Sequence, residues 1–109
     1  MFIVTDEPTF THDVTARVPV DGGFAEETFK ATFRVIDPEE VDSFVLATTE
    51  GAAAFLKRVI VRLDGIADAE KRPVEWSDQV RDAVLRLPWA RSALARTYFT
   101  AISGAKTGN

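Results

Sequence analysis

Few residues in this chain are equipped for chemistry. His12 is the only histidine, and there is no cysteine. A nucleophilic triad would have to be built around that one imidazole, and no serine stands in a nucleophile-elbow setting. His12 lies on the apolar parity of an alternating run, so a hydrogen-bonded imidazole within a strand is the simpler expectation. The densest acids are Asp37, Glu39, Glu40 and Asp42. Carboxylates at this density could hold a metal or work as paired acids. Their place at the start of an apolar helical stripe explains them better, because negative charge there complements the helix dipole. Asp21-Gly22-Gly23 has the glycines of a phosphate cradle. It joins two strand-like runs rather than a strand to a helix, so that motif is absent. Lys71-Arg72 with Trp76 nearby is a weak basic–aromatic pair and reads more simply as a solvated loop. No catalytic, cofactor or metal site is expected, and the chain reads as a non-enzyme.

The totals agree with a binding or structural role. A length of 109 residues suits one domain, 1–109. The content is 46% apolar and 28% charged, as in a folded chain rather than a disordered one. A net charge of −4 argues against a partner held through phosphates. Without cysteine there are no disulfides, thiolate metal sites or thiol chemistry. MFIVTDEP lacks the basic region and long apolar run of a signal peptide. No stretch approaches the roughly 20 apolar residues of a membrane span. The expectation is a cytoplasmic protein with no nucleic acid and no membrane among its partners.

The stretch Val14–Ile36 organises the elements. Phe10, His12, Val14, Ala16, Val18 and Val20 share one parity, opposite Thr11, Asp13, Thr15, Arg17 and Pro19. After Asp21-Gly22-Gly23, Ala25, Phe29, Ala31, Phe33 and Val35 share a parity against Thr28, Lys30, Thr32 and Arg34. A period of two gives each strand one apolar and one wet face. The glycines supply the positive φ of a tight hairpin turn. A loop at Asp21-Gly22 sets Val14 opposite Phe29; a loop at Gly22-Gly23 sets Ala16 opposite Phe29. Both keep the apolar residues on one face. An isolated hairpin is marginal in water, so helices must cover that face. Residues 1–9, with Phe2-Ile3-Val4, form an extra edge strand or an N-terminal arm able to dock on a neighbouring subunit.

Four helical segments follow. Asp37 and Pro38 suit the N-cap and first position of a helix, with Glu40 placed for a capping box. Val41, Phe44 and Val45 stripe it, and it is expected to end near Ala47. A second helix begins after Thr48-Thr49, with Ala52, Phe55, Leu56, Val59, Ile60 and Leu63 on one side. It is expected to end at Gly65 in a left-handed cap. The β-branched Val59-Ile60-Val61 makes its last turn ambiguous. Ile66–Trp76 connects to a third helix, capped by Ser77 and running from about Asp78 to Leu87. Pro88 opens the fourth, which carries Ala90, Ala93, Leu94, Thr97, Tyr98 and Ala101 on one side and ends at Gly104. Residues 103–109 read as a flexible tail. The fold class is α+β: a long N-terminal β-hairpin packed against three to four short α-helices.

Large apolar residues off the main stripes are the candidates for gripping another chain. Phe99 lies roughly opposite Ala90 and Ala101, which gives the fourth helix a second apolar patch. Trp76 and Trp89 flank the third helix as core anchors or interface residues. The candidate protein-binding set is Phe44, Phe55, Trp76, Trp89 and Phe99.

In order and spacing, the segments VTARVPVDGG, EETFKATFRV, PEEVDSF, FLKRVIVRLDGI and PVEWS, then a helix broken at Leu87-Pro88, resemble the tail assembly chaperones of long-tailed bacteriophages. The likeness spans about Val14 to Ile102 and departs at Ala67–Arg72, where a turn richer in Asp and Gly would be expected. It implies a protein without catalysis or cofactor in the cytoplasm of a bacterial host. Its partner would be the long hydrophobic tape measure protein, kept soluble while the tail tube polymerises around it. It further implies a homo-oligomer, contact with the tail tube protein, and relatives made in a longer frameshifted form. The alternative is a structural head or tail completion protein retained in the phage particle. A small metal-dependent enzyme using the Asp37–Asp42 carboxylates is the more distant reading.

Overall fold

A computed structural model describes residues 1–104, and the rest of the expected tail, 105–109, lies outside them. The two alternating runs form β1 (Thr9–Val20) and β2 (Gly23–Arg34), paired antiparallel. Val20 pairs with Gly23, so the loop is Asp21-Gly22; Val14 faces Phe29 and Phe10 faces Phe33. Gly22 has φ +79°, and Gly23 has no positive φ. The single left-handed position of the turn chooses between the two registers. One face carries Val14, Ala16, Ala31 and Phe33, all buried. The other is a polar ladder. Thr11 and Thr32 hydroxyls meet at 2.8 Å, Thr15 and Thr28 at 3.0 Å, and Lys30 donates to Asp13 at 2.9 Å.

β1 is an edge strand, and its open edge is guarded. In a hairpin closed by a two-residue loop, Val20 and Gly23 exchange hydrogen bonds, so residues 9, 11, 13, 15, 17 and 19 turn their backbone groups outward. Pro19 falls on that edge, where its missing N–H breaks no ladder bond. His12 Nδ1 donates to the Asp13 carbonyl at 2.7 Å. Arg96 reaches the Thr15 carbonyl at 3.5 Å. The lone histidine therefore helps to close a sheet edge.

A third strand, β3 (Ile60–Asp64), pairs with β2 and completes the order β1-β2-β3. This corrects the expected second helix, which stops at Val59 instead of running to Gly65. The helical stripe misled for a physical reason. Phe33 pairs with Ile60 and Thr32 with Arg62, so Val61 is an extra, bulged residue. A bulge lets Ile60 and Leu63, three apart, both turn inward, and both are buried. That spacing imitates a helix. The β-branched Val59-Ile60-Val61 favours the strand, and β2 needs a partner. Gly65 does take positive φ, +83°, at the end of a strand.

The helices are α1 (Pro38–Asp42), α2 (Thr49–Val59), α3 (Asp78–Leu85) and α4 (Pro88–Ile102). Helix α1 is shorter than expected, ending at Asp42 rather than near Ala47, and α3 stops short of Leu87. Asp37 holds the N-cap position, but its side chain makes no cap bond. Glu40 does not close a capping box; Arg58 donates to it at 2.6 Å. Ser77 caps α3 as expected, accepting from Val80 at 3.1 Å. Thr48 caps α2, accepting from Gly51 at 2.9 Å while donating to the Val45 carbonyl at 2.9 Å. These bonds draw the segment before α2 onto Gly51, where a Cβ would overlap the Val45 carbonyl. Ala is the better helix former by about 1 kcal/mol. Gly51→Ala is nonetheless expected to destabilise by about 1–3 kcal/mol, because backbone must move. Urea unfolding checks the sign.

Helix α4 covers the apolar face of the hairpin through Ala90, Ala93, Leu94, Thr97 and Tyr98, all buried. Thr97 is satisfied by donating to the Ala93 carbonyl at 2.8 Å. Tyr98 is fully buried, and its hydroxyl accepts from the Ile36 N–H at 3.2 Å. Burial pushes its phenol pKa above the ordinary value, and the Ile36 N–H pulls the other way. A raised folded-state pKa contributes stability that is fully present below about pH 10 and lost as pH rises through the folded value. Tyr98 is the only tyrosine. Tyrosinate absorbance is therefore expected to appear above the ordinary pH and to coincide with unfolding. Titration at the ordinary value with the fold intact would contradict its burial.

Candidate functional site

The five aromatic candidates separate into three places. Three of them join one cluster around Phe55. Phe99 stacks on Phe55 with centroids 5.3 Å apart and planes 6° apart. Phe44 meets Phe55 edge-on at 5.8 Å and Tyr98 meets it at 5.3 Å. Phe33 and Phe10 extend the cluster from the hairpin. Phe55 is fully buried, so its place in the binding set is corrected: it is a core residue with no face left for a partner. Phe44 and Phe99 are half-buried flanks of that core. Phe99 lies off the α4 stripe because α2 packs on that side and Phe55 receives it. Trp76 is half-buried against the core.

Trp89 stands elsewhere, in a groove of about 180 Å³ with mixed polar and apolar walls. One wall is the distal half of the hairpin: Ala16 and Val18 from β1, Glu27, Thr28 and Phe29 from β2. Gly65, Ile66 and Ala67, after β3, form the second wall. The third is the junction of α3 and α4, with Val84, Leu87, Trp89 and Ala90. Each wall has a local cause. The hairpin strands run on past β3, which pairs only with Lys30–Phe33, so Ala16, Val18 and Phe29, with Glu27 among them opposite Ala16, continue without a third strand beside them. Pro88 breaks the chain between the helices and leaves Leu87 outside both, 39% exposed. Arg91 donates to the Leu85 carbonyl at 2.7 Å, which closes the end of α3 and fixes the junction.

Among the described residues, Glu27 is the one ionisable side chain on the lining. The volume is below the roughly 300–1,000 Å³ usual for small-molecule sites. What the groove can do is accept apolar side chains of another polypeptide. Sequence reasoning found Trp89 and missed its neighbours. Leu87, isolated before Pro88, was the available signal.

The acidic candidates do not converge. Among the described residues, no three His, Cys, Asp or Glu side chains are placed to hold a metal ion. Glu40 is joined instead to Glu7 through Arg58, which donates to Glu40 at 2.6 Å and to Glu7 at 2.7 Å. This bridge holds the Glu7 carboxyl below its usual range and keeps the guanidinium firmly protonated. It fastens the chain before β1 to α1 and α2, with Glu7 in the left-handed region at φ +44°. Phe2, Ile3 and Val4 precede this anchor and make no strand. Arg72 donates to Asp68 at 3.2 Å and Glu70 at 3.4 Å, so its charge is engaged within its own loop. No helix among the described residues is long and apolar enough to cross a membrane. Compared with protein-family models, curated proteins and solved structures, the chain matches none.

Proposed function

We propose that this protein is a phage tail assembly chaperone. In the host bacterial cytoplasm it binds apolar helical segments of the tape measure protein and keeps them soluble while the tail tube forms. The observation that carries the reading is the groove, which presents Val18, Leu87 and Trp89 between the hairpin, the residues after β3 and the α3–α4 junction. A client helix would insert one or two apolar side chains beside Trp89 and Leu87. Burying such a side chain is worth about 1.5–3 kcal/mol before the costs of association. A single contact is therefore weak. Many copies along a long client would hold it firmly yet release it as the tube advances. The order of the segments from Val14 to Ile102, which resembles the tail assembly chaperones, supports the same conclusion.

The test is co-expression with the tape measure protein encoded by the same phage. The tape measure protein is expected in the soluble fraction with this chain and in the pellet without it. Equal solubility in both cases would overturn the proposal. Presence of the chain in purified particles would favour the head or tail completion reading instead.

A further inference from the structure

We propose that the arm preceding β1, Phe2–Val4, seats in the groove of a second copy of this chain. Both halves of the contact leave apolar side chains open to solvent. Phe2, Ile3 and Val4 are 91%, 75% and 87% exposed. A run of large apolar side chains left together in water marks a contact surface. The groove offers Val18, Leu87 and Trp89 to receive them.

Reach decides which copy. The chain is fastened at Glu7 by Arg58, at 2.7 Å and 3.3 Å, and at Pro8, whose carbonyl accepts from the Val35 N–H at 2.8 Å. Beyond Glu7, a fully extended chain carries Phe2 at most about 18 Å. The groove's near end is Phe29, which pairs with Val14 about 20 Å along the strand from Pro8, and Val18 lies about 34 Å along it. While the anchor holds, the arm cannot reach Val18 in its own groove, so a second copy's is the one it can fill. Strand addition to β1 is the poorer alternative, because His12, Arg96 and Pro19 guard that edge. A seated arm occupies the place proposed above for a client side chain, so self-association and client binding compete. The arm contact itself does not depend on that reading.

The absence of cysteine allows a clean test. An Ile3→Cys chain is mixed with a size-tagged Leu87→Cys chain under mild oxidation. The mixed disulfide is expected well above its random share, and Phe2→Asp in the same arm is expected to abolish the excess. Random pairing, or closure within one chain of the double variant, overturns the proposal. Sedimentation provides the second readout. Deleting Met1–Val4 is expected to raise the self-association Kd at least roughly tenfold, with the circular dichroism unchanged. Unchanged association, or an intact chain that stays monomeric at high concentration, also overturns it. Cross-linking without rescue of tape measure solubility would retain the arm contact and reject the chaperone role.

Discussion

Phe55→Ala is expected to lower the free energy of unfolding by about 3–5 kcal/mol. Typical domains hold only about 5–15 kcal/mol, so the variant would be partly unfolded at physiological temperature. The cause is position. Phe55 is fully buried and touches Phe44, Tyr98 and Phe99 at once. It joins α2 to α4, and through Tyr98 to the hairpin aromatics Phe10 and Phe33. Its removal leaves a cavity between Phe44, in the segment after α1, and Tyr98 and Phe99 on α4, which are fixed by their own packing. Phe99→Ala should cost less, because its ring is half-buried. Urea denaturation of both variants checks the order. A loss at Phe55 no greater than at Phe99 would show that the aromatic cluster is not the centre of the core.

Leu87→Asp is expected to do the opposite: abolish partner binding and leave the fold intact. Leu87 is the N-cap residue of α4, with Pro88 at the first helical position, and no side chain caps that end. Asp is among the best N-cap residues, and replacing a poor one gains about 0.5–2 kcal/mol. The same substitution puts a carboxylate beside Trp89 at the junction wall of the groove. A client side chain seated there would have to desolvate that charge without a partner. Binding should therefore fall by two orders of magnitude or more while the melting temperature holds or rises. Reduced stability together with reduced binding would mean that Leu87 is core. Unchanged binding would place the client elsewhere.

The hairpin was legible because alternation over so many residues has one interpretation. Its register needed a turn geometry that Asp21-Gly22-Gly23 leaves open. Caps that rest on local chemistry, Ser77 and Pro88, were readable where they stand. Asp37 was readable as a position but not as a bond, because Glu40 finds a distant partner in Arg58. The third strand was hidden by its bulge. Ile60 and Leu63 mimic helical spacing, and only the vacant edge of β2 decides against it. The groove was least legible of all. Its walls come from residues 16–18, 27–29, 65–67 and 84–90. No local pattern brings those segments together. Phe55 and Phe99 drew attention because large aromatic residues stand out in a sequence, whether they face a partner or each other.

The two tryptophan indoles provide the most direct test of the central claim that the groove grips another chain. Trp89 lines the groove and Trp76 does not. A nitrogen–proton correlation spectrum resolves both indole signals while an amphipathic tape measure peptide is added to an arm-deleted chain. The Trp89 signal is expected to move in step with saturation while that of Trp76 stays in place. Movement of Trp76 alone, or of neither, would contradict the account.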